Sequence, residues 1–344
     1  MRLKTLSLSI LLFAVHSPLA AQMSDASARH SIAALDSSLS GAMVYPIGNN
    51  QELVFQKPRV FQFVRNAVGD FPEYCKVSFQ KKHLVNIGAI TAITALMVAY
   101  DQPIYEETLR IGRRLNISSH DKTKTYISVA GVPVFRGPSD LSSTLYFIGD
   151  GWTHTTIAAS FLAYGLAKHD SRALQTASQL AEGMITTGLS TQLLKHITGR
   201  ETPIRADAPG GVWRPFPNQI DYHKQVPNYD AFPSGHLATA MMTVTVIAEN
   251  YPEHSYIRPL GYTLMALCSF QMVNNGVHWV SDYPLAMAMG YSFGKIAVHH
   301  GRKVISRGDT LQGQASPKGP ATSMALIPML SREGKIGLTL RCEF

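Results

Sequence analysis

Between residues 200 and 233 the chain carries six prolines, with helix-length, weakly charged segments on either side. Proline lacks a backbone donor and fixes φ, so no long helix or central strand runs through this stretch. The flanks therefore fold as separate helices joined by a long loop, and long ordered loops in compact domains serve as lids or binding walls. Upstream, a helix is expected over 152–167, opened by the Gly149-Asp150-Gly151 turn. Asp170 or Ser171 then caps another that runs to about residue 197. Within it Ala177, Ala181, Met184 and Gly188 recur at helical spacing, predicting one packed face. Downstream, helices are expected over 236–249, roughly 255–273, and 279–300, with Asn274-Asn275-Gly276 bending the chain before His278. Earlier still, 83–100 is a long uncharged stretch.

These signals predict an all-α fold, a helical bundle of about six core helices. The core is placed at 149–302, after an irregular N-terminal region at 22–148 that holds one long helix and a possible strand pair around 125–135. Residues 303–344 read as a linker, rich in Gly, Ser and Pro over 308–322, followed by a short C-terminal β-hairpin. In that hairpin Ile336, Leu338, Leu340, Cys342 and Phe344 alternate with polar or small residues, as on a half-buried strand.

Residues 1–21 have the organisation of a signal peptide. Arg2 and Lys4 give a basic start, 6–15 an apolar core, and Pro18-Leu19-Ala20-Ala21 a small-residue end, with cleavage expected after Ala21. The chain is therefore expected to be exported, to the periplasm. Candidate spans at 85–100, 259–281 and 283–294 carry several polar residues, and the mean hydropathy is only +0.01. A soluble or peripheral protein is expected, with an integral one as the alternative.

The formal net charge of +8 favours anionic substrates or an anionic membrane face. No dense Lys/Arg run with interleaved aromatics is present, so nucleic acid is excluded as a partner. Three cysteines, Cys75, Cys268 and Cys342, are too few and too scattered for a disulfide framework or a zinc site.

The chemistry gathers around Pro233-Ser234-Gly235-His236. Serine is a preferred N-cap, and the unpaired N–H groups of a helix start bind phosphate. Gly235 lets a ligand approach the backbone, Ser234 adds a hydroxyl, and His236 stands at the ligand's edge. Further on, His278 and Asp282 share a face if they lie on a helix, and a carboxylate beside an imidazole fixes its tautomer. That is what a histidine nucleophile needs. Lys195 and Arg200 supply cations to hold a phosphate. On the residues alone, a capped helix with a surface histidine and an ordinary His–Asp pair remain open. So does a metal site at His236, His278 and Asp282, although no His-x-x-x-His or Cys pair supports one.

Taken in order, these motifs resemble the type 2 phosphatidic acid phosphatase and vanadium haloperoxidase superfamily. The resemblance covers roughly 145–300 and implies that His278 is the nucleophile, Asp282 its orienting carboxylate and His236 the general acid. It further implies that Ser234, Gly235 and Lys195 bind phosphate, and that Arg200 joins them through its Gly-Arg-x-x-Pro context. Two positions depart from the pattern: Thr202 stands where the family has an arginine, and Gln271-Met272 replaces a Ser-Arg pair. Arg200, Arg205 or Arg214 are the candidates to replace the missing guanidinium groups.

The function implied is hydrolysis of a phosphomonoester, with lipid-linked esters among the candidates, through a phosphohistidine and with no metal or cofactor. A catalytically degenerate envelope protein and a vanadate-dependent haloperoxidase are the alternatives. Activity is expected to follow a bell in the acidic to neutral range, and Arg200→Ala to raise the Michaelis constant.

Overall fold

The computed structural model describes residues 42–48, 51–129, 132–306, 323–330 and 336–343. The expected signal peptide at 1–21, the expected linker at 308–322 and the expected hairpin turn at 331–334 lie outside these residues. The chain divides into two units, one formed by Gly41–Val304 and the other by Met1–Ser40 with Ile305–Phe344.

The first unit is a helical bundle, as the spacing predicts. It opens with β1 (Met43–Gly48) and β2 (Gln51–Phe55), then α1 (Gln62–Ser78) and the long α2 (Leu84–Arg114). A hairpin follows, β3 (Thr123–Val129) with β4 (Val132–Pro138), then α3 (Leu141–Phe147), α4 (Gly151–Lys168) and α5 (Ser171–Thr198). The proline-rich loop holds the short α6 (Gln219–Lys224), and α7 (Gly235–Asn250), α8 (Ile257–Asn274) and α9 (Tyr283–His299) complete the bundle. Strand β5 (Arg302–Ser306) joins a three-stranded sheet in the order β1-β2-β5. In the second unit β6 (Ser323–Leu330) pairs antiparallel with β7 (Ile336–Glu343), with Leu326 opposite Leu340. This is the hairpin expected from the alternating residues.

Local sequence explains the helix ends. Asp150 caps α4 by accepting from Trp152 N at 2.9 Å, and Asp170 caps α5 by accepting from Ala173 N at 2.9 Å. Helix α5 ends at Gly199, whose φ of 55° is left-handed, and a side chain there would collide with Arg214 O. The chain then turns into the loop.

Helix α7 is the centre of the bundle and packs against α9, α5, α8 and α4. Leu237, Ala238, Ala240, Met265, Val273 and Ala286 form one core cluster, while Leu180, Met242, Val246 and Val298 form another. Gly290 lets α9 approach α7 backbone to backbone, since a methyl there would sit 2.1 Å from Ala238 O.

The most buried stripe of α5 differs from the expected one. It runs through Ala173, Thr176, Leu180, Gly183, Thr187 and Ser190, whereas Ala181, Met184 and Gly188 are half-buried. Hydroxyl residues such as Thr176 and Ser190 can face the core because they bond back one turn. Thr176 Oγ1 donates to Arg172 O at 2.8 Å and Ser190 Oγ to Thr186 O at 2.7 Å. A hydrophobic pattern does not register such a face.

Candidate active site

His278 does not lie on a helix with Asp282. Helix α8 ends at Asn274, Gly276 turns the chain with φ 68°, and Val280–Asp282 forms a 3₁₀ turn before α9. The expected helix at 279–300 therefore begins at Tyr283. Within the turn, Asp282 Oδ2 accepts from Trp279 N at 2.7 Å and lies 3.4 Å from His278 Nδ1. The pair forms, by a tighter route than helical spacing. Ala231 O, from the end of the loop, lies 2.7 Å from the same Nδ1. A carbonyl only accepts, so Nδ1 carries the proton and Nε2 presents a lone pair. His278 is 1% exposed and its ring has little freedom.

Behind Asp282 lies a buried ion-pair network. Arg200 Nη1 donates to Asp282 Oδ1 and Ser281 Oγ, both at 2.6 Å. Its Nη2 donates to Asp101 Oδ2 at 2.6 Å and to Gly210 O at 2.9 Å. Asp101, on α2, also accepts from Ser281 N at 3.0 Å. The guanidinium stacks 4.6 Å from the Trp213 ring centroid and 5.4 Å from that of Trp279. Arg200 is fully buried, and both terminal nitrogens have protein partners. These contacts set the guanidinium against Asp282, the carboxylate beside His278, while its Nε has no partner among the described residues. Two carboxylates and one guanidinium meet there, all fully buried.

Opposite His278 stands His236, at the start of α7, with ring centroids 5.9 Å apart and planes 74° apart. Ser234 is the N-cap, its Oγ accepting from Leu237 N at 3.4 Å, and Ser234 N donates to Asp282 O at 3.1 Å. Ala238 N goes to Ser234 O at 3.1 Å, so the N–H groups of Gly235 and His236 are the free donors of the first turn. A methyl at Gly235 would meet only Thr191 Oγ1, at 3.7 Å, so protein packing does not itself demand glycine there. The Tyr146 ring lies 5.1 Å from that of His236, and Gly149 packs beneath it. A methyl on Gly149 would come within 2.8 Å of Cys268 Sγ and 2.9 Å of His236 Cβ. Burial, then the nearby His278, Lys195 and His154, hold the His236 imidazole well below its ordinary pKa.

Lys195 is buried near the end of α5, and its Nζ donates to Asp230 Oδ2 at 2.7 Å. Tyr222 OH donates to the other carboxylate oxygen, and its ring stacks 4.0 Å from that of His196. The ammonium keeps two further protons for an anion.

The remaining candidate cations do not replace the missing arginines. Arg205 is exposed, and Arg214 pairs with Glu201 and, at 2.9 Å, with Asp207. Thr202 and Met272 are buried, the latter in the apolar floor near Gly149. The structure thus brings together both histidines, Asp282, Lys195 and the α7 cap. Asp101, Asp230 and Tyr146 stand beside them and belong to no motif. The signal for Asp101 was a lone carboxylate ending an otherwise uncharged helical stretch, which must be paired if buried.

Residues 176–305 match the family model of the PAP2 superfamily, so the resemblance carried by the motifs holds from α5 to β5. The match supports a phosphatase-type function for this region. No curated protein matches the chain. Among solved structures, it is similar to the first transmembrane PAP2 type phosphatidylglycerolphosphate phosphatase from Bacillus subtilis. That similarity is 13% identity over 70% of this chain and 96% of that one, with a TM-score of 0.32.

Proposed function

We propose that this chain hydrolyses a lipid-borne phosphomonoester without a metal, through a phosphohistidine on His278. The observation that carries the reading is the tethered His278, its Nδ1–H engaged by Ala231 O and its ring facing His236 across 5.9 Å. Nε2 donates its lone pair to phosphorus while the bond to the leaving oxygen breaks, and His236 gives that oxygen a proton. Water then attacks the phosphohistidine, neutral His236 takes the water's proton, and the N–P bond breaks to release phosphate. Lys195 and the free N–H groups of Gly235 and His236 hold the phosphoryl oxygens.

A lipid substrate is supported by α2. With the turn before it, this helix spans Lys81–Arg114 and is long and apolar enough to cross a membrane. Leu84, Val85, Ile93, Leu96 and Tyr100 are exposed along it, while Asp101 turns inward to the site. Export is part of the proposal and rests on residues 1–21. Sequencing the N-terminus of mature protein should read from Gln22, and an intact Met1 would overturn export.

The decisive experiment is phosphate release from an aryl phosphate and from a lipid phosphate in mixed micelles, with and without chelator, beside His278→Ala. Chelator-resistant release that vanishes in the variant is expected, with the lipid preferred. Equal rates for the two proteins would sink the phosphohistidine route. Vanadate binding without turnover would identify a degenerate site, and vanadate-dependent bromide oxidation the haloperoxidase alternative.

A further inference from the structure

Away from the histidine pair, three helices bring a second group of ionisable side chains together in the bundle. Asp70 comes from α1, Glu182 from α5 and His300 from the end of α9. One ligand atom from each lies within 4.8 Å of the others. Glu182 and Lys195 are both on α5, which separates this cluster from the catalytic lysine by roughly 20 Å of helix.

Asp70 is the anomaly. It is 0% exposed, yet among the described residues neither of its carboxylate oxygens has a hydrogen-bond partner. A buried carboxylate without a donor is costly unless a cation meets it. The nearest positive group is His300 Nδ1, 3.5 Å away, but that nitrogen is engaged 2.7 Å from Glu182 Oε1. One imidazole thus faces two buried acids at once.

The surroundings match what metal ligands need. Glu73 Oε2 lies 3.7 Å from His300 Nε2, on the far side of the ring, so a proton on Nε2 leaves Nδ1 as the donor atom. Asn66 Nδ2 donates to Glu182 Oε2 at 2.8 Å, which leaves Oε1 for the cluster. The His300 side chain is 28% exposed and gives an ion a way in.

We propose that Asp70, Glu182 and His300 form a zinc-type divalent cation site, independent of catalysis, that fastens α1 to α5 and the end of α9. Two carboxylates and one imidazole are borderline-hard donors, which suits Zn²⁺ and disfavours the all-oxygen ions Mg²⁺ and Ca²⁺. One dication neutralises both acids while His300 stays neutral. Binding displaces the protons held by the cluster into solvent, so affinity rises with pH.

The test is metal content and equilibrium Zn²⁺ binding of the full chain, with Mg²⁺ and Ca²⁺ in parallel. Asp70→Asn, Glu182→Gln and His278→Ala are measured beside it, each checked for helix content by circular dichroism. About one equivalent of Zn²⁺ is expected, with protons released and Tm raised. Affinity should fall at least ~10-fold in Asp70→Asn and Glu182→Gln and hold in His278→Ala. If a variant fails to fold, His300→Gln, on the exposed side of the cluster, gives the same comparison. Zn²⁺ binding that is unchanged in Asp70→Asn or His300→Gln overturns the site. Wild-type protein that binds no ion also overturns it, and the cluster is then a proton-sharing trio.

Discussion

At His278 the two ring nitrogens have different duties, and neighbouring residues divide along the same line. Ala231 O can keep the tautomer, so Asp282→Asn should leave the ring in place while it removes the charge and one of the two acceptors used by Arg200 and Trp279. We expect kcat to fall on the order of 10²-fold with KM little changed, within the usual range for one electrostatic partner. Arg200 acts one step further back, so Arg200→Met should also lower kcat, whereas the motif spacing had suggested a change in KM. A steady-state kcat and KM split on the same aryl phosphate distinguishes the two. Gly149→Ala pushes a methyl against His236 Cβ and Cys268 Sγ, and a displacement of that size costs about 10²-fold in kcat. Acid-side pH dependence follows from His236, whose pKa is held down by burial. The general acid must be protonated in the free enzyme, so kcat/KM should climb as pH falls below 6.5, and a flat profile from pH 5 to 7.5 would remove His236 from that role. These residues were legible because phosphoryl chemistry needs rare side chains in a fixed order. Asp230 and Tyr146 were not, since neither belongs to a spaced motif and only folding brings them to the site.

Elements were legible where hydrophobic spacing and caps agree. Helices α4, α5, α7 and α8 fall within a residue or two of their expected bounds, because Asp150, Asp170 and Ser234 are strong stop-and-start signals. The 3₁₀ turn carrying Asp282 was hidden, since a His-x-x-x-Asp spacing reads as helical unless the Trp279–Asp282 bond is known. The two sides of α2 were hidden for the opposite reason: its apolar residues announce a helix but not which residue turns inward. Those sides should respond differently to substitution. Leu96→Glu, on the exposed face, should weaken binding to anionic lipid vesicles by flotation while aryl phosphate turnover stays the same. Asp101→Ala leaves Arg200 buried with one carboxylate fewer and should cost about 3–5 kcal/mol by urea denaturation.

For the whole molecule, His154 is a buried contributor to acid stability that lies outside the histidine pair. His154 in α4 is buried, its Nδ1 lies 3.0 Å from Thr243 Oγ1 and its Nε2 has no partner among the described residues. Burial lowers its pKa to about 4. The unfolded chain takes up this proton near pH 6.5, so its contribution is intact above that pH. It is lost as pH falls toward 4, by roughly 3 kcal/mol in all. His154→Leu should narrow the difference between urea midpoints at pH 7.5 and pH 4.5, and an unchanged gap would refute the assignment. The bond between Asp101 and Arg200 has a further meaning for portability. The matched stretch, residues 176–305, contains every motif residue and looks like a cassette ready to be cut out or grafted. Yet the brace behind its nucleophile comes from a helix some seventy residues before that stretch begins. A fragment starting at Leu141 would inherit the reagents and lose the vice that holds them.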